Sequence, residues 1–365
     1  MVDRARRALV VTLTALIVLV LMSYSSFGLS YNVAERFLAQ MDEYKVDSFC
    51  PCKPRIARSL KYLNGSLKPE DINFEKIADG EYVGKSTCNQ YTTALGAGQQ
   101  VLSYSFYTPP TSKQGKPLEP EASILRYSQL MSNIIQHAKL YYPRWRIRLY
   151  HNVTDQEKEV KKELCDLYCQ NMELDLCDVT NLHSLGNLNV LFPVGRFWRF
   201  QAVGDPTVKI FASRDIDSYI QDREAFAVQD WLTSKEQFHV MRDAPFHKAA
   251  ILAGLWGSKN YLNMTQAINV KRALFSVAPS LKKDADQVSL RNNVWPLISN
   301  NTVIHDSYGC LSGYMGPGWH PWPARRIGFA YVGYGPTKDV HMKKVANLEC
   351  PLACRPQEHE DWTYC

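Results

Sequence analysis

From Gln99 onward the chain alternates apolar strand-like runs with segments of helical period, and this alternation restricts the fold more than any other feature. Val101–Tyr107 reads as a strand closed by Pro109-Pro110. Ser123–Lys139 places apolar residues at 124, 127, 130, 131, 134, 135 and 138, one face of a helix. Arg144–Tyr150 alternates as a second strand, and Thr154 with Glu157 has the spacing of a capping box for a helix running to about Tyr168. Met172–Cys177 is a third strand, Arg196–Val203 a helix, and Val208–Ala212 a further strand after a Gly-Asp-Pro turn. Strands joined by helical crossovers predict an α/β fold, a mostly parallel sheet with helices on both faces. Ligands of such sheets sit at the carboxyl ends of the strands, so chemistry is sought in the residues just past each one.

The chain has 365 residues, 45% hydrophobic and 21% charged, which excludes disordered, collagen-like and coiled-coil classes. Its net charge of +6 owes part to Arg4, Arg6 and Arg7 against Asp3. With no basic stripe elsewhere, this argues against a dedicated nucleic-acid partner and suits anionic small molecules.

From Ala8 to Leu29 no residue is charged, and as a helix the stretch would span roughly 33 Å, enough for a bilayer core. Arginines before it predict a cytosolic tail (1–7), a signal-anchor (8–29) and a lumenal remainder. A cleavable signal peptide is the rival reading and sends the rest of the chain to the same pathway. Residues 30–95 read as a stem, 96–340 as the main domain and 341–365 as a cysteine-containing tail.

Ten cysteines fall into an early trio (Cys50, Cys52, Cys88), a middle trio (Cys165, Cys169, Cys177), the lone Cys310 and a terminal trio (Cys350, Cys354, Cys365). An even count in an oxidising compartment predicts disulfides, with the pairing left open. The spacings lack the Cys-x2-Cys pairs of structural zinc sites. Sequons at Asn64, Asn152, Asn263 and Asn300 are compatible with lumenal exposure.

Just past the strand at 208–212 lies Ser213-Arg214-Asp215-Ile216-Asp217-Ser218. In extended backbone, residues i and i+2 point the same way, so Asp215 and Asp217 can offer two carboxylates to one site. Hard oxygens of this kind suit Mn²⁺ or Mg²⁺, which in turn hold a diphosphate; the plainer reading is a solvated turn. Asp284-Ala-Asp286 repeats the pattern without a preceding apolar strand and reads as such a turn. Arg196 and Arg199 share a helical face, and arginine suits phosphate through its planar fork, although surface ion pairing explains them equally. Arg223-Glu224 and Phe238–His247 are densely polar. There Arg242, Asp243 and His247 either contact ligand or form a loop with internal ion pairs. Tyr314, Trp319 and Trp322 in a Gly- and Pro-rich stretch either stack on a sugar or cap the sheet.

These parts occur in a recognisable order across residues 99–310: a first strand, the Arg196–Arg199 helix, and a strand ending in Asp215-Ile216-Asp217. There follow a small-residue strand Ile251–Gly257 with Gly254 and Trp256, a helix carrying Asp286-Gln287, and Val303-Ile304-His305. In that order the chain resembles GT-A glycosyltransferases, above all the retaining, glycogenin-like family 8 type. The resemblance implies a GT-A-like catalytic domain behind a single type II membrane anchor in the Golgi. It further implies a metal (Mn²⁺ or Mg²⁺) on Asp215, Asp217 and His305, and donor contacts from Arg196, Arg199, Arg214, Gly254 and Trp256. The family's histidine motif ends in Lys-Pro-Trp, whereas this chain has His305-Asp-Ser-Tyr-Gly-Cys310.

The implied reaction is transfer of a sugar from a nucleotide-sugar donor to a hydroxyl of a glycan, glycoprotein or glycolipid acceptor. A base is needed only if the reaction inverts, and Asp243 and Asp286 are its candidates. The alternatives are a non-catalytic lumenal glycan-binding or scaffold protein on the same fold and a secreted disulfide-rich interaction protein. The sequence has no phosphate loop, no His-Glu-x2-His and no Gly-x-Ser-x-Gly. Gly96-Ala-Gly98 precedes a strand instead of following one, so it is not a dinucleotide fingerprint.

Overall fold

The alternating pattern folds into a layered α/β body. The computed structural model describes residues 41–45, 49–50, 56–60, 84–107, 121–282, 284–310, 318–336 and 345–365. The elements in chain order are β1 (Met41–Lys45), β2 (Ile56–Leu60), α1 (Gln90–Ala94), β3 (Gln99–Phe106), α2 (Glu121–Tyr141), β4 (Arg146–His151), α3 (Lys158–Gln170) and β5 (Leu174–Asp178). They continue with β6 (Val208–Ser213), α4 (Asp222–Thr233), β7 (Phe238–Arg242), β8 (Trp256–Lys259), α5 (Met264–Phe275), β9 (Thr302–Asp306) and β10 (Trp319–His320). Among the described residues, β1 and β2 form an antiparallel ribbon and eight strands form one sheet in the order β10-β9-β7-β8-β6-β3-β4-β5. Every neighbouring pair in that sheet is parallel except those of β8, which runs antiparallel to β6 and β7.

Strand period sorts the side chains into two cores. Phe211 and Trp256 join Val240, Ile304, Val270 and Leu274 on one face, under α5 and the helical stretch after Asp284. Ile210 and Ala212 join Leu102, Leu149, Met131, Ile135 and Trp231 on the other, under α2, α3 and α4. Burial on both faces makes these strands near-continuous apolar runs, which is why the sequence shows them plainly.

Three local expectations change. Phe238–Arg242, read as part of a polar segment, is β7 in the middle of the sheet; it buries His239 and Arg242 as well as its apolar residues. The strand expected at Ile251–Gly257 begins only at Trp256, and residues 251–255 form an irregular approach to it. Thr154 and Glu157 do bond, through the Thr154 N–H and hydroxyl to the Glu157 carboxylate, but they close a turn before α3, which starts at Lys158.

Residues 84–95, assigned to the stem, belong to the folded body. Ser86 and Thr87 donate to the Asp205 carboxylate, and Cys88 is disulfide-bonded to Cys177. Among the described residues the other disulfides are Cys50–Cys165, Cys310–Cys354 and Cys350–Cys365, and Cys169 is also disulfide-bonded. The terminal residues are thereby pinned to the loop after β9. The signal-anchor at 8–29 lies outside the described residues, among which no helix is long and apolar enough to cross a membrane.

The fully buried Arg148 anchors the start of the sheet. Its guanidinium reaches Asp205 Oδ2 at 2.8 Å, Gln99 Oε1 at 2.8 Å and Thr207 Oγ1 at 2.9 Å. Burial opposes ionisation of Asp205, but the Arg148 charge, with Lys271 and hydrogen bonds from Thr87 and Thr207, outweighs it and brings the carboxyl down to about 2. Removing one partner of a buried pair strands the other, so Asp205→Ala should cost about 3–5 kcal/mol in urea unfolding at neutral pH. Because the folded pKa is depressed, this stabilisation is present above pH 4 and fades as pH falls toward about 2. A loss below about 1 kcal/mol would contradict the assignment.

Candidate functional site

The helical turn Gly195–Trp198 tightens into a 3₁₀ turn at Arg199–Ala202, which delivers Arg199 to the carboxyl end of β6. Two serines of β3 fix that turn: Ser103 Oγ donates to the Arg199 carbonyl at 2.6 Å, and the Arg199 N–H donates to Ser105 Oγ at 2.8 Å. The guanidinium then forks. Nη1 binds Asp215 and the Arg214 carbonyl, and Nη2 binds Asp286 Oδ2 at 3.1 Å. One buried arginine thus ties together the two Asp-x-Asp segments of the sequence.

A cavity of about 680 Å³ opens there, lined by Arg199, Asp215, Gly254, His247, Asp284, Asp286, Tyr331 and others. Asp284, read from sequence as a solvated turn, is therefore part of its wall. Gly254 is pressed so closely on Asp215 that an added Cβ would fall within the carboxylate. The loop carrying it is held from both sides. Gln287 accepts from the Ala253 N–H at 3.1 Å and donates to the Ile251 carbonyl, while Ser213 Oγ donates to the Ala253 carbonyl at 2.7 Å. His247 Nδ1 accepts from the Asp243 N–H at 3.0 Å, so in the neutral ring the proton sits on Nε2. Tyr331, packed edge-on against His247, has its hydroxyl pushed up to about 12 by burial and by the nearby Tyr334 and Asp217.

Burial raises the Asp286 carboxyl above the ordinary aspartate range; Arg199 pulls it back and the Asp215 charge adds to the rise. Arg196, on the same helical turn as Arg199, donates to the Lys282 carbonyl two residues before Asp284, and its charge also reaches Asp286. The carboxylates present hard oxygens of the kind Mn²⁺ and Mg²⁺ take, and such ions need only one or two protein carboxylates when phosphates supply the rest. Asp215 fits that role, with its side chain 39% exposed toward the cavity. Asp217 does not follow Asp215 in extended backbone: the chain turns there, with the Ser218 N–H donating to the Asp215 carbonyl at 3.1 Å. Asp217 lines a separate small pocket with Ile216, Tyr219 and Ile220, although its charge is felt at Tyr331 on the cavity wall.

Other expected site residues lie elsewhere. Arg214 points into the opposite core, its Nε 2.6 Å from Glu224 Oε1. Trp256 is fully buried between Phe200 and Phe211. Asp243 is fully buried and receives Arg223 and Arg326, Ser307 Oγ and the Val332 N–H, which leaves no oxygen to act as a base. His305 is fully buried beneath α4 and hydrogen-bonds His239 at 2.8 Å, so it does not meet Asp215. Trp322 is buried against the His305 ring and caps the sheet, while Tyr314 lies outside the described residues.

The site's electrostatics generate a stability prediction. A folded pKa raised above the unfolded value favours the neutral acid. Stability from Asp286 is therefore greatest below pH 3.8 and declines as pH rises through the folded pKa. Asp286→Asn should accordingly raise the melting temperature at pH 7 by a few degrees, with the gain shrinking as pH falls toward 3.8. Thermal unfolding across pH checks this, and a variant less stable than wild type at pH 7 would contradict it.

No family model and no curated protein matches this chain. Among solved structures it is similar to the crystal structure of a glycosyltransferase involved in the glycosylation of the major capsid of PBCV-1. The identity is 16% and the TM-score 0.29, over 57% of this chain and 81% of that one.

Proposed function

We propose that this chain is a glycosyltransferase moving a sugar from a nucleotide-diphosphate donor to a hydroxyl of a glycan, glycoprotein or glycolipid. The observation that carries this reading is the fork of Arg199 onto Asp215 and Asp286 at the edge of a cavity, at the carboxyl end of β6. The motif order shared with GT-A glycosyltransferases supports it, and the cavity is large enough for a small ligand.

In this reading Asp215 holds Mn²⁺ or Mg²⁺ together with the donor's phosphates, and Asp217, which lines a separate pocket, and His305 are released from that set. The ion would supply Lewis-acid neutralisation of charge on the departing nucleoside diphosphate. Arg199 orients Asp215 through one arm of its fork and brings a positive charge to the cavity where the diphosphate's negative charge would lie. Arg196, held on the Lys282 carbonyl, adds a second cation whose charge reaches Asp286. Gly254 lets backbone approach the donor sugar where any side chain would displace Asp215. His247, whose Nδ1 accepts from the Asp243 N–H, is part of the same wall and faces the donor's polar groups. If the reaction inverts, Asp286 is the base at hand, because its raised pKa brings it nearer the working pH. Retention follows the resemblance. The disulfides and the uncharged N-terminal stretch support a lumenal, Golgi-type location behind an anchor.

A donor screen tests the proposal. The purified chain, with Mn²⁺ and a panel of nucleotide sugars, should release nucleoside diphosphate with one donor. Asp215→Asn should lower that turnover by about 100-fold or more while the melting temperature stays near wild type. Gly254→Ala should do the same by displacing Asp215. No donor-dependent release with any member of the panel favours a glycan-binding protein, and wild-type turnover in Asp215→Asn removes the metal assignment.

A further inference from the structure

On the sheet face opposite the Arg199 cavity, three side chains from separate elements converge: Asp230 of α4, His305 of β9 and His320 of β10. Among the described residues they are the group of three or more His, Cys, Asp or Glu whose ligand atoms all lie within 4.8 Å of one another. His320 Nδ1 lies 2.7 Å and His305 Nε2 3.2 Å from the same oxygen, Asp230 Oδ2. His305 is wholly buried, yet its Nε2, aimed at this point, has no directed hydrogen bond. A buried imidazole nitrogen this close to a carboxylate oxygen, without a well-aligned hydrogen bond, needs a proton or a cation between the two lone pairs.

We infer that Asp230, His305 and His320 form a Zn²⁺ site, separate from the proposed donor site. With bonds of about 2.0–2.1 Å, ligand atoms of a tetrahedral zinc stand about 3.3 Å apart. The observed 2.7 and 3.2 Å reach that spacing with about 0.6 Å of outward movement at Asp230, whose side chain is 36% exposed. Two imidazoles and one carboxylate suit zinc better than Mg²⁺ or Ca²⁺, and the exposed side of Asp230 and His320 leaves the fourth position to water. The tautomer agrees. Ligation through Nε2 leaves the proton of His305 on Nδ1, where His239 Nε2 accepts it at 2.8 Å, and such a partner fixes the orientation of a metal-bound histidine. His239 is itself stacked on Trp231 at 5.1 Å.

The site has a structural use. β10 is only Trp319 and His320, held to β9 by the pairs Trp319–Ile304 and His320–His305. A strand that short has little hold of its own on the sheet edge, and a metal bridging β9, β10 and α4 staples it there. This assignment does not depend on the proposed transfer reaction, because it uses none of the cavity residues.

The test uses the full chain with its disulfides intact, stripped by a chelator and titrated with Zn²⁺ alone against a chromophoric competitor. Wild type should take up one Zn²⁺ per chain at this site and melt at a higher temperature when loaded. Co²⁺ in place of zinc should give the intense visible bands of tetrahedral coordination, a readout that needs no variant. His320→Ala, at the half-exposed edge, and Asp230→Asn should each weaken uptake by more than the roughly 10–100-fold typical of losing an outer hydrogen-bond partner, whereas Asp215→Asn should leave it intact. Absence of zinc uptake by wild type, or uptake that survives His320→Ala, would overturn the site and leave Asp230 paired with His320 and His305 alone.

Discussion

One guanidinium organises the upper edge of this sheet. Asp215 and Asp286 come from segments far apart in the chain, and two carboxylates brought together in a partly buried cleft repel and resist ionisation. Arg199 makes their proximity tolerable by giving each one arm of its fork. The arrangement demands that Arg199 itself be immobile, and Ser103 and Ser105 of the neighbouring strand secure its backbone on both sides. A lysine could not replace it, since a single ammonium lacks the planar, two-armed geometry.

The remaining features serve that edge. The reversed strand β8 lets the chain return across the sheet so that the loop at 251–255 lies over Asp215, with Gly254 at the point of closest approach. Gln287 and Ser213 hold the loop in place. Elsewhere the buried charges do structural duty: Arg148 with Asp205, Arg214 with Glu224, Arg223 and Arg326 with Asp243, and Arg242 with Asp306. Such pairs contribute specificity more than net stability, because each must offset the desolvation of both ions. They also explain why polar segments occupy the middle of the sheet.

The parallel half of the sheet was legible in the sequence because β3, β4, β5 and β6 are buried on both faces and read as apolar runs. β7 was not, since His239 and Arg242 find their partners only across β9 and the following loop, which local pattern cannot reveal. Asp215 could be singled out by its place after an apolar strand. Asp284 could not: it precedes a short helix, and only tertiary packing brings it to the cavity wall. Asp243, Arg214 and His305 misled for the opposite reason. Their residue types suit catalysis, but the sequence does not disclose the buried partners that already engage them. Trp256 was placed near the right glycine, yet the strand begins only at Trp256, whose ring packs on Phe200 and Phe211 in the core, while Gly254 in the irregular approach lines the cavity. A signal for the Asp230–His305–His320 group was absent, because its members lie on three elements with no fixed spacing.

The proposed transfer requires a nucleotide's diphosphate to lie in the cavity beside Arg199. A crystal structure of the chain soaked with UDP or GDP and Mn²⁺ measures this directly. Density for the diphosphate within hydrogen-bond reach of Arg199, with the ion on Asp215 and Gly254 beneath the nucleotide, is the predicted result. A nucleotide bound elsewhere, with the fork of Arg199 onto Asp215 and Asp286 undisturbed and the cavity holding only solvent, would contradict it.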